Sequence, residues 1–215
     1  TTTYMQRSPR HDHGWLRPDP LMTKELGIPN ACNRCHIEKD TDWAIKITDE
    51  WYGASLNSLQ RARTRAIASA QANQPGAPAA LLVELAREEV PAWRATLLDL
   101  LIPFERTAPV IAVAQTALTA RDPLERAAAV RLLNGHAPSQ DRLRALLQDP
   151  VRLVRLDAAW ALSAELPADS PSRRELDAYF ALSQDQPGGQ LRLGQDFANR
   201  RQYPAAEKAM KLAAQ

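Results

Sequence analysis

The sequence predicts an all-α protein, and three observations support this fold class. Its 215 residues include only 8 glycines, and aromatic residues make up 6%, which does not suit a β-sandwich or barrel. The 16 prolines fit short helices, because proline is tolerated at the first helical position and disrupts a helix interior. Apolar residues recur at helical spacing, and part of the chain repeats internally.

Charge and composition exclude several classes of function. The formal net charge is +2, from 27 basic and 25 acidic residues, so we expect no nucleic-acid partner. No apolar run approaches the roughly 20 residues that span a bilayer, so we expect no membrane span. Two cysteines are too few for a disulfide scaffold. The opening Thr-Thr-Thr-Tyr-Met lacks a signal-peptide pattern, and we expect a mature form or a fragment.

Residues 1–56 form the first predicted segment. Its prolines are dense up to Asn30, so extended chain and turns are expected there. Asp40 is predicted to cap a helix that ends near Gly53. A second helix, which opens the next segment, is predicted from Ser58 to about Ala72.

Residues 57–168 contain an internal repeat. Three segments align on a proline and an arginine, and the aligned arginines Arg94, Arg126 and Arg155 lie 32 and 29 residues apart. The Asp-Pro pairs in the second and third segments predict helix starts, with aspartate as N-cap and proline at the first position. The segments are 90–101, 122–133 and 149–162, and the predicted helices before them are 78–88, 107–120 and 140–147. This pattern resembles short HEAT-like repeats, whose helical hairpins stack into a solenoid.

Residues 169–215 change period again. The spacing of Leu193, Gly194, Phe197, Ala206, Met210 and Ala213 is that of a tetratricopeptide repeat. Gly194 and Ala206 are predicted to be small because two helices cross there, and a second helix is expected to begin around Tyr203. One such hairpin cannot bury its own apolar face, so it either docks on the HEAT-like stack or continues into further repeats, and we expect the second.

The run Cys32-Asn33-Arg34-Cys35-His36 carries the chemistry. Cys-x-x-Cys-His is the attachment motif of haem c. The two thiols, Cys32 and Cys35, add to the two vinyl groups of one porphyrin, and His36 then binds the iron as an axial ligand. The sequence therefore predicts one covalent haem c, with iron as the metal.

Three other interpretations of the motif stay open. The cysteines could form a redox dithiol, although no strand pattern precedes them. They could belong to a zinc site with His36 and either His11 or His13. They could also form a simple disulfide.

A haem held by one histidine needs a sixth ligand or keeps an open position. Candidates are His11, His13, His136, Met5 and Met22. His136 lies in a turn that ends a predicted helix, where a solvated histidine is the simpler interpretation. Met22 fits a packed apolar residue equally well. The cluster His11-Asp12-His13 is the stronger candidate, because a carboxylate can orient an imidazole.

The stretch from Tyr4 to Trp51 resembles the last haem segment of periplasmic multihaem c-type cytochromes. In those proteins a His-Asp-His-Ser-Phe-like run and an Arg, Pro and Asp-Leu pattern lead into Gly-x-Pro-Asn-Ala-Cys-x-x-Cys-His and a Trp-Ala helix. Gly14 and Trp15 replace the usual Ser and Phe. The matching runs are His11-Asp12-His13-Gly14-Trp15, Arg17-Pro18-Asp19, Gly27-Ile28-Pro29-Asn30-Ala31-Cys32, Lys39-Asp40, Trp43-Ala44 and Trp51-Tyr52-Gly53.

The resemblance implies a function and a setting. His13 corresponds to an axial ligand, either of this haem or of a haem on a segment outside this chain. Electron transfer is implied, with redox proteins or sibling haem segments as partners, in the periplasm or another exported location. Such cytochromes often carry HEAT-like and tetratricopeptide repeats after the haem region, so we expect the C-terminal part of a longer multihaem protein. The alternatives are a helical-repeat interaction module with an unloaded or zinc-bound motif, and a haem enzyme acting on small nitrogen or sulfur oxides.

Overall fold

A computed structural model of the protein describes residues 2–4, 8–10, 18–53 and 58–214. Their regular secondary structure is helical apart from one antiparallel hairpin, in which β1 (Thr2–Tyr4) pairs with β2 (Ser8–Arg10). The prediction of an all-α fold is therefore confirmed at the level of fold class. Within the described ranges, no helix combines the length and apolarity needed to cross a bilayer.

The helices are short, and many begin at a proline in the first turn. In chain order they are α1 (Pro20–Leu26), α2 (Cys32–Cys35), α3 (Thr41–Tyr52), α4 (Ser58–Gln71), α5 (Ala77–Arg87), α6 (Pro91–Leu100), α7 (Ala108–Ala117), α8 (Pro123–Leu133), α9 (Gln140–Ala145), α10 (Arg152–Ala161), α11 (Pro171–Ala181), α12 (Pro187–Asn199) and α13 (Tyr203–Ala213). Short 3-10 helices flank α9 at Ala137–Ser139 and Leu146–Gln148.

The chain divides into two compact units, Thr1–Ala68 and Ser69–Gln215. The division falls inside α4, so this helix contributes residues to both units. The sequence-based division into 1–56, 57–168 and 169–215 stays a prediction.

In the first unit, α1 packs on α3. Helix α1 lies in the stretch predicted to be extended, and that prediction is wrong here because Pro20 occupies the first turn, where proline is tolerated. Lys24 on α1 pairs with Asp42 on α3 at 2.6 Å, and this carboxylate raises the pKa of the lysine. Arg61 on α4 binds both carboxylate oxygens of Asp19 at 2.8 Å.

In the second unit, α8 lies between α6 and α10 and packs against both. Each of these helices also contacts a neighbour from the preceding stretch of chain: α5 packs on α6, α7 on α8, and α9 on α10. The middle helix is buried on almost every side, and small residues allow this close packing. Its buried apolar residues are Ala127, Ala128, Ala129, Val130, Leu132 and Leu133.

The three arginines that align the repeat occupy equivalent places. Arg94, Arg126 and Arg155 are each the fourth residue of their helix. Each guanidinium donates to backbone carbonyls just before its own helix and also binds a carboxylate further along the chain. The pairs are Arg94 with Glu125, Arg126 with Asp149, and Arg155 with Glu175.

One predicted helix start is wrong. Asp122 caps α8 as expected and accepts a hydrogen bond from the backbone N–H of Leu124. Asp149, by contrast, lies outside α10, which begins at Arg152. Its carboxylate binds the backbone N–H of Val151 and the side chain of Arg126, which belongs to the preceding repeat. Asp149 therefore makes a contact between repeats and is not the N-cap of α10.

Helices α12 and α13 cross closely where the sequence predicts it. A Cβ on Gly194 would lie 2.8 Å from Cγ of Met210 and 3.3 Å from the carbonyl oxygen of Ala206. The second helix begins at Tyr203, also as predicted. Gly189 is tighter still, because a Cβ there would lie 1.7 Å from the carbonyl oxygen of Ser183.

Candidate functional site

The two cysteines lie on a single turn of helix. Helix α2 spans Cys32–Cys35 and ends at His36, whose backbone N–H donates to the carbonyl of Cys32 at 2.9 Å. Both thiols are free; Cys32 is partly exposed and Cys35 is exposed. The thiols therefore remain available to a ligand, and the predicted disulfide alternative is not formed.

Two asparagines hold this turn in place. The side-chain oxygen of Asn30 accepts from the backbone N–H of Asn33, and its amide donates to the hydroxyl of Thr23 at 3.1 Å. The Asn33 amide in turn donates to the carbonyls of Lys39 and Asp40 at 2.9 and 3.2 Å. The turn that carries the cysteines is thereby tied both to α1 and to the start of α3.

Helix α3 begins directly after these contacts. The side chain of Asp40 accepts a hydrogen bond from the backbone N–H of Trp43 at 2.8 Å, which confirms the predicted N-cap. The helix ends beside Gly53, again as predicted. Trp43, Ile47 and Trp51 are four residues apart, so they share one face of the helix.

That face lies against the cysteine turn and forms a cavity of about 300 Å³. We call it the cysteine pocket; its lining includes Cys32, Cys35, His36, Trp43, Ile47 and Trp51. The rings of His36 and Trp43 are 5.0 Å apart, centroid to centroid, at 55°. In the described part of the chain the His36 ring has no hydrogen-bond partner.

Large apolar side chains near this pocket are open to solvent. Trp51 is 68% exposed and Ile37 is 83% exposed. Exposed apolar surface grouped around reactive side chains is the usual surrounding of a ligand site. A flat apolar macrocycle attached through both thiols would cover such a surface, so the residues present fit haem c.

The candidate sixth ligands have different outcomes. His13, His11 and Met5 lie outside the described residues, so the predicted role of His13 stays a prediction. Met22 is 5% exposed and does not line the cysteine pocket, which favours its interpretation as a packed residue. Nδ1 of His136 lies 2.8 Å from the hydroxyl of the buried Ser139, within its own turn. This histidine is partly buried and has a structural partner, which differs from the solvated histidine that the sequence suggests.

Other chemistry at the motif finds less support. Among the described residues, no group of three or more His, Cys, Asp or Glu side chains is placed to hold a metal ion. A zinc site would therefore need His11 or His13, which are not described. No strand in the described ranges leads into α2, so the setting of a thioredoxin-like dithiol is not seen there either.

Sequence reasoning had not assigned a role to Asn33 or Ile47. The four-residue spacing of Trp43, Ile47 and Trp51 could have identified the face of α3 that lines the pocket. Nothing in the sequence indicates that the Asn33 side chain reaches the carbonyls of Lys39 and Asp40.

Comparisons with protein-family models, with curated proteins and with solved structures returned no match for this chain.

Proposed function

We propose that the chain binds one haem c covalently and transfers electrons. The observation that carries this proposal is the cysteine pocket. It brings both free thiols, the ring of His36 and an apolar wall containing Trp43 and Trp51 to one side of α3.

Each residue has a distinct role in this proposal. Cys32 and Cys35 would hold the haem through two thioether bonds, and His36 would bind its iron. Trp43 packs on the His36 ring and limits its rotation. Trp51 shields the apolar group from water. When bound, the haem supplies an iron that gains and loses one electron.

His13 is proposed as the distal ligand. Two histidines would leave no open coordination position and would produce a low-potential centre. An electron carrier, and not an enzyme, is then expected. This proposal rests on the resemblance of residues 4–51 to multihaem cytochromes. The same resemblance supports two further proposals: an exported, periplasmic location, and a longer multihaem protein of which this chain is a part.

The second unit is proposed as a solenoid of HEAT-like hairpins that ends in a tetratricopeptide-like hairpin. Support comes from the equivalent placement of Arg94, Arg126 and Arg155 and from the order in which α6, α8 and α10 pack. Such stacks present extended surfaces to other proteins. We therefore propose that it docks redox partners or sibling segments of the parent.

The test is to produce the chain in the periplasm of a host with a cytochrome c maturation system. We expect a mass increase of one haem, a reduced α-band in the haem c region, and colour that survives acid-acetone extraction. Cys32→Ala/Cys35→Ala should lose all three. Colourless protein with two titratable thiols or with stoichiometric zinc would refute the proposal.

Histidine variants separate the ligands. His36→Ala should shift the spectrum to high spin, while His136→Ala should leave it unchanged and serves as the matched control. His13→Ala should also change the spin state if it binds this iron. Carbon monoxide binding to the reduced wild-type protein would show an open position and contradict the bis-histidine assignment.

A further inference from the structure

A second pocket lies entirely within the unit Ser69–Gln215. Its volume is about 380 Å³, within the range of small-molecule sites. We call it the Trp160 pocket; α10, α11 and α12 contribute most of its wall, through Leu153, Leu156, Trp160, Tyr179 and Arg192. It contains neither cysteine and none of the predicted iron ligands.

The apolar wall is held in place from behind. Trp160 meets the ring of Phe180 edge-on, with centroids 5.4 Å apart and planes at 74°. Phe180 and Leu176 are almost fully buried, at 2% and 1% exposure. Leu176 itself lines the pocket, and Phe180 supports Trp160 from the core, so the apolar wall rests on packed side chains.

Two arginines line the pocket, and they differ in whether a carboxylate already binds them. Arg131 is bound by Asp99 at 2.8 Å and by Asp157 at 2.5 Å, so its charge is compensated. Asp157 also lines the pocket, and its carboxylate is directed to Arg131. Arg192 lies 5.9 Å from the centroid of the Tyr179 ring. Within the described ranges no carboxylate pairs with Arg192.

The amide of Asn134 also lines the pocket, and its side chain makes no hydrogen bond with another described residue. An aromatic and aliphatic wall is thus combined with one lining carboxylate, Asp157, which is taken up by Arg131, and with one cation, Arg192, that pairs with no carboxylate among the described residues. A carboxylate is the group that a guanidinium binds best, through two parallel hydrogen bonds.

We propose that the Trp160 pocket binds a small organic monocarboxylate with an apolar body. The body packs against Trp160 and Leu156, and the carboxylate pairs with Arg192. This site is separate from the proposed haem function, and its test does not depend on haem loading.

The test uses three probes that share one body and differ in charge: 3-phenylpropionate, its neutral amide, and 3-phenylpropylamine. Titration calorimetry on the full chain should show the carboxylate binding about tenfold or more tightly than the amide, since a charge-assisted hydrogen bond contributes that much. The amine should bind weakest. Equal binding of all three, or no binding of any, would overturn the proposal.

Variants localise the site. Arg192 is exposed, so Arg192→Gln should fold, and it should reduce carboxylate affinity to that of the amide. Arg142→Gln replaces another exposed arginine, which does not line this pocket, and should have no effect. Ala161→Leu adds bulk to the pocket lining and should weaken all three probes. Loss of selectivity in Arg142→Gln but not in Arg192→Gln would contradict the assignment.

A peptide carboxyl terminus has the same chemistry as the free acid. Gly-Gly-Gly-Phe with a free carboxylate therefore forms a fourth arm. The small-molecule proposal expects 3-phenylpropionate to bind at least as tightly as this peptide. Binding of the peptide alone would replace the proposal with a docking site for a chain terminus.

Discussion

Asn33 occupies one of the two positions between the cysteines, yet its side chain faces its own chain. Its amide binds the carbonyls of Lys39 and Asp40, and its side-chain oxygen accepts from Asn30. These carbonyls lie at the start of α3, so one side chain fixes the cysteine turn relative to the helix that carries Trp43 and Trp51. The geometry of the cysteine pocket depends on these bonds.

Asn33→Ala should lower the free energy of unfolding of the first unit by about 1 kcal/mol, because it removes one partly buried hydrogen bond, from Asn30, and two exposed ones, to Lys39 and Asp40. The yield of attached haem in the maturation host should fall with it. Thermal unfolding of the purified protein and haem content per chain measure the two effects. Glu38→Ala, an exposed change in the same loop, is the control.

Arg126 is the most enclosed of the three repeat arginines. Its side chain is 12% exposed, and that of its partner Asp149 is 4% exposed. The guanidinium also donates to the carbonyls of Ala120 and Arg121 at 2.9 Å. Removing it would leave a buried carboxylate without its cation.

Arg126→Ala should therefore destabilise the second unit by about 3 kcal/mol. Urea unfolding followed by circular dichroism measures the loss. Arg121→Ala, an exposed neighbour on the same turn, should change the unfolding free energy by less than about 0.5 kcal/mol. Equal losses in the two variants would show that the Arg126 pair does not stabilise the unit.

The same pair predicts a dependence on pH. The Arg126 guanidinium, and secondarily the backbone N–H of Val151, hold the pKa of Asp149 below its ordinary value of about 3.9. A carboxyl group whose pKa is lower in the folded than in the unfolded state stabilises the fold above about pH 4. This stabilisation is lost as the pH falls through the pKa of the folded state. The difference in unfolding free energy between wild type and Arg126→Ala should thus narrow below pH 4. A difference that stays constant to pH 2 would contradict this account.

At the scale of elements, the three glycines of α12, which are Gly188, Gly189 and Gly194, have different surroundings. A Cβ on Gly189 would overlap the backbone of Ser183, and one on Gly194 would press on the flexible side chain of Met210. A Cβ on Gly188 would meet nothing within 4 Å. Backbone cannot move aside as a side chain can, so these sites should respond differently to the same change.

Gly189→Ala should cost about 3 kcal/mol, Gly194→Ala about 1 kcal/mol, and Gly188→Ala should be neutral or slightly stabilising. The three variants add the same methyl group to one helix, so Gly188→Ala is the matched control. The midpoints of urea unfolding, compared at a constant m-value, give the order of the three stabilities. Any other order would mean that packing against Ser183, just after α11, and against α13 does not decide the outcome.

Much of the element scale could be predicted from sequence. The cap and length of α3, the extent of α4 and the start of α13 depend on local residues, and the predictions are confirmed. Helix α1 is not predicted, because the density of prolines up to Asn30 predicts extended chain and turns for the whole stretch. The start of α10 was misplaced because Asp149 binds Arg126 from the preceding repeat, a contact between residues far apart in the chain.

At the scale of the whole molecule, the main packing contacts of α5 to α13 are made with one another, within the unit Ser69–Gln215. A fragment of residues 69–215 should therefore fold alone. We expect a helical circular dichroism spectrum and one cooperative thermal transition. If the fragment is unfolded at about room temperature while the full chain is folded, the second unit depends on the first unit for its stability.

The sequence by itself determined the helical class, the spacing of the aligned arginines and the one motif from which a cofactor is predicted, since all three depend on residue identity and short spacing. Only the tertiary structure decided that Trp43, Ile47 and Trp51 line the same pocket as the cysteines, and that Arg192 lies over Tyr179 with no carboxylate partner in the part of the chain that the structure describes. Such contacts join residues from different elements. They follow from how the helices pack, and local sequence patterns do not encode that packing.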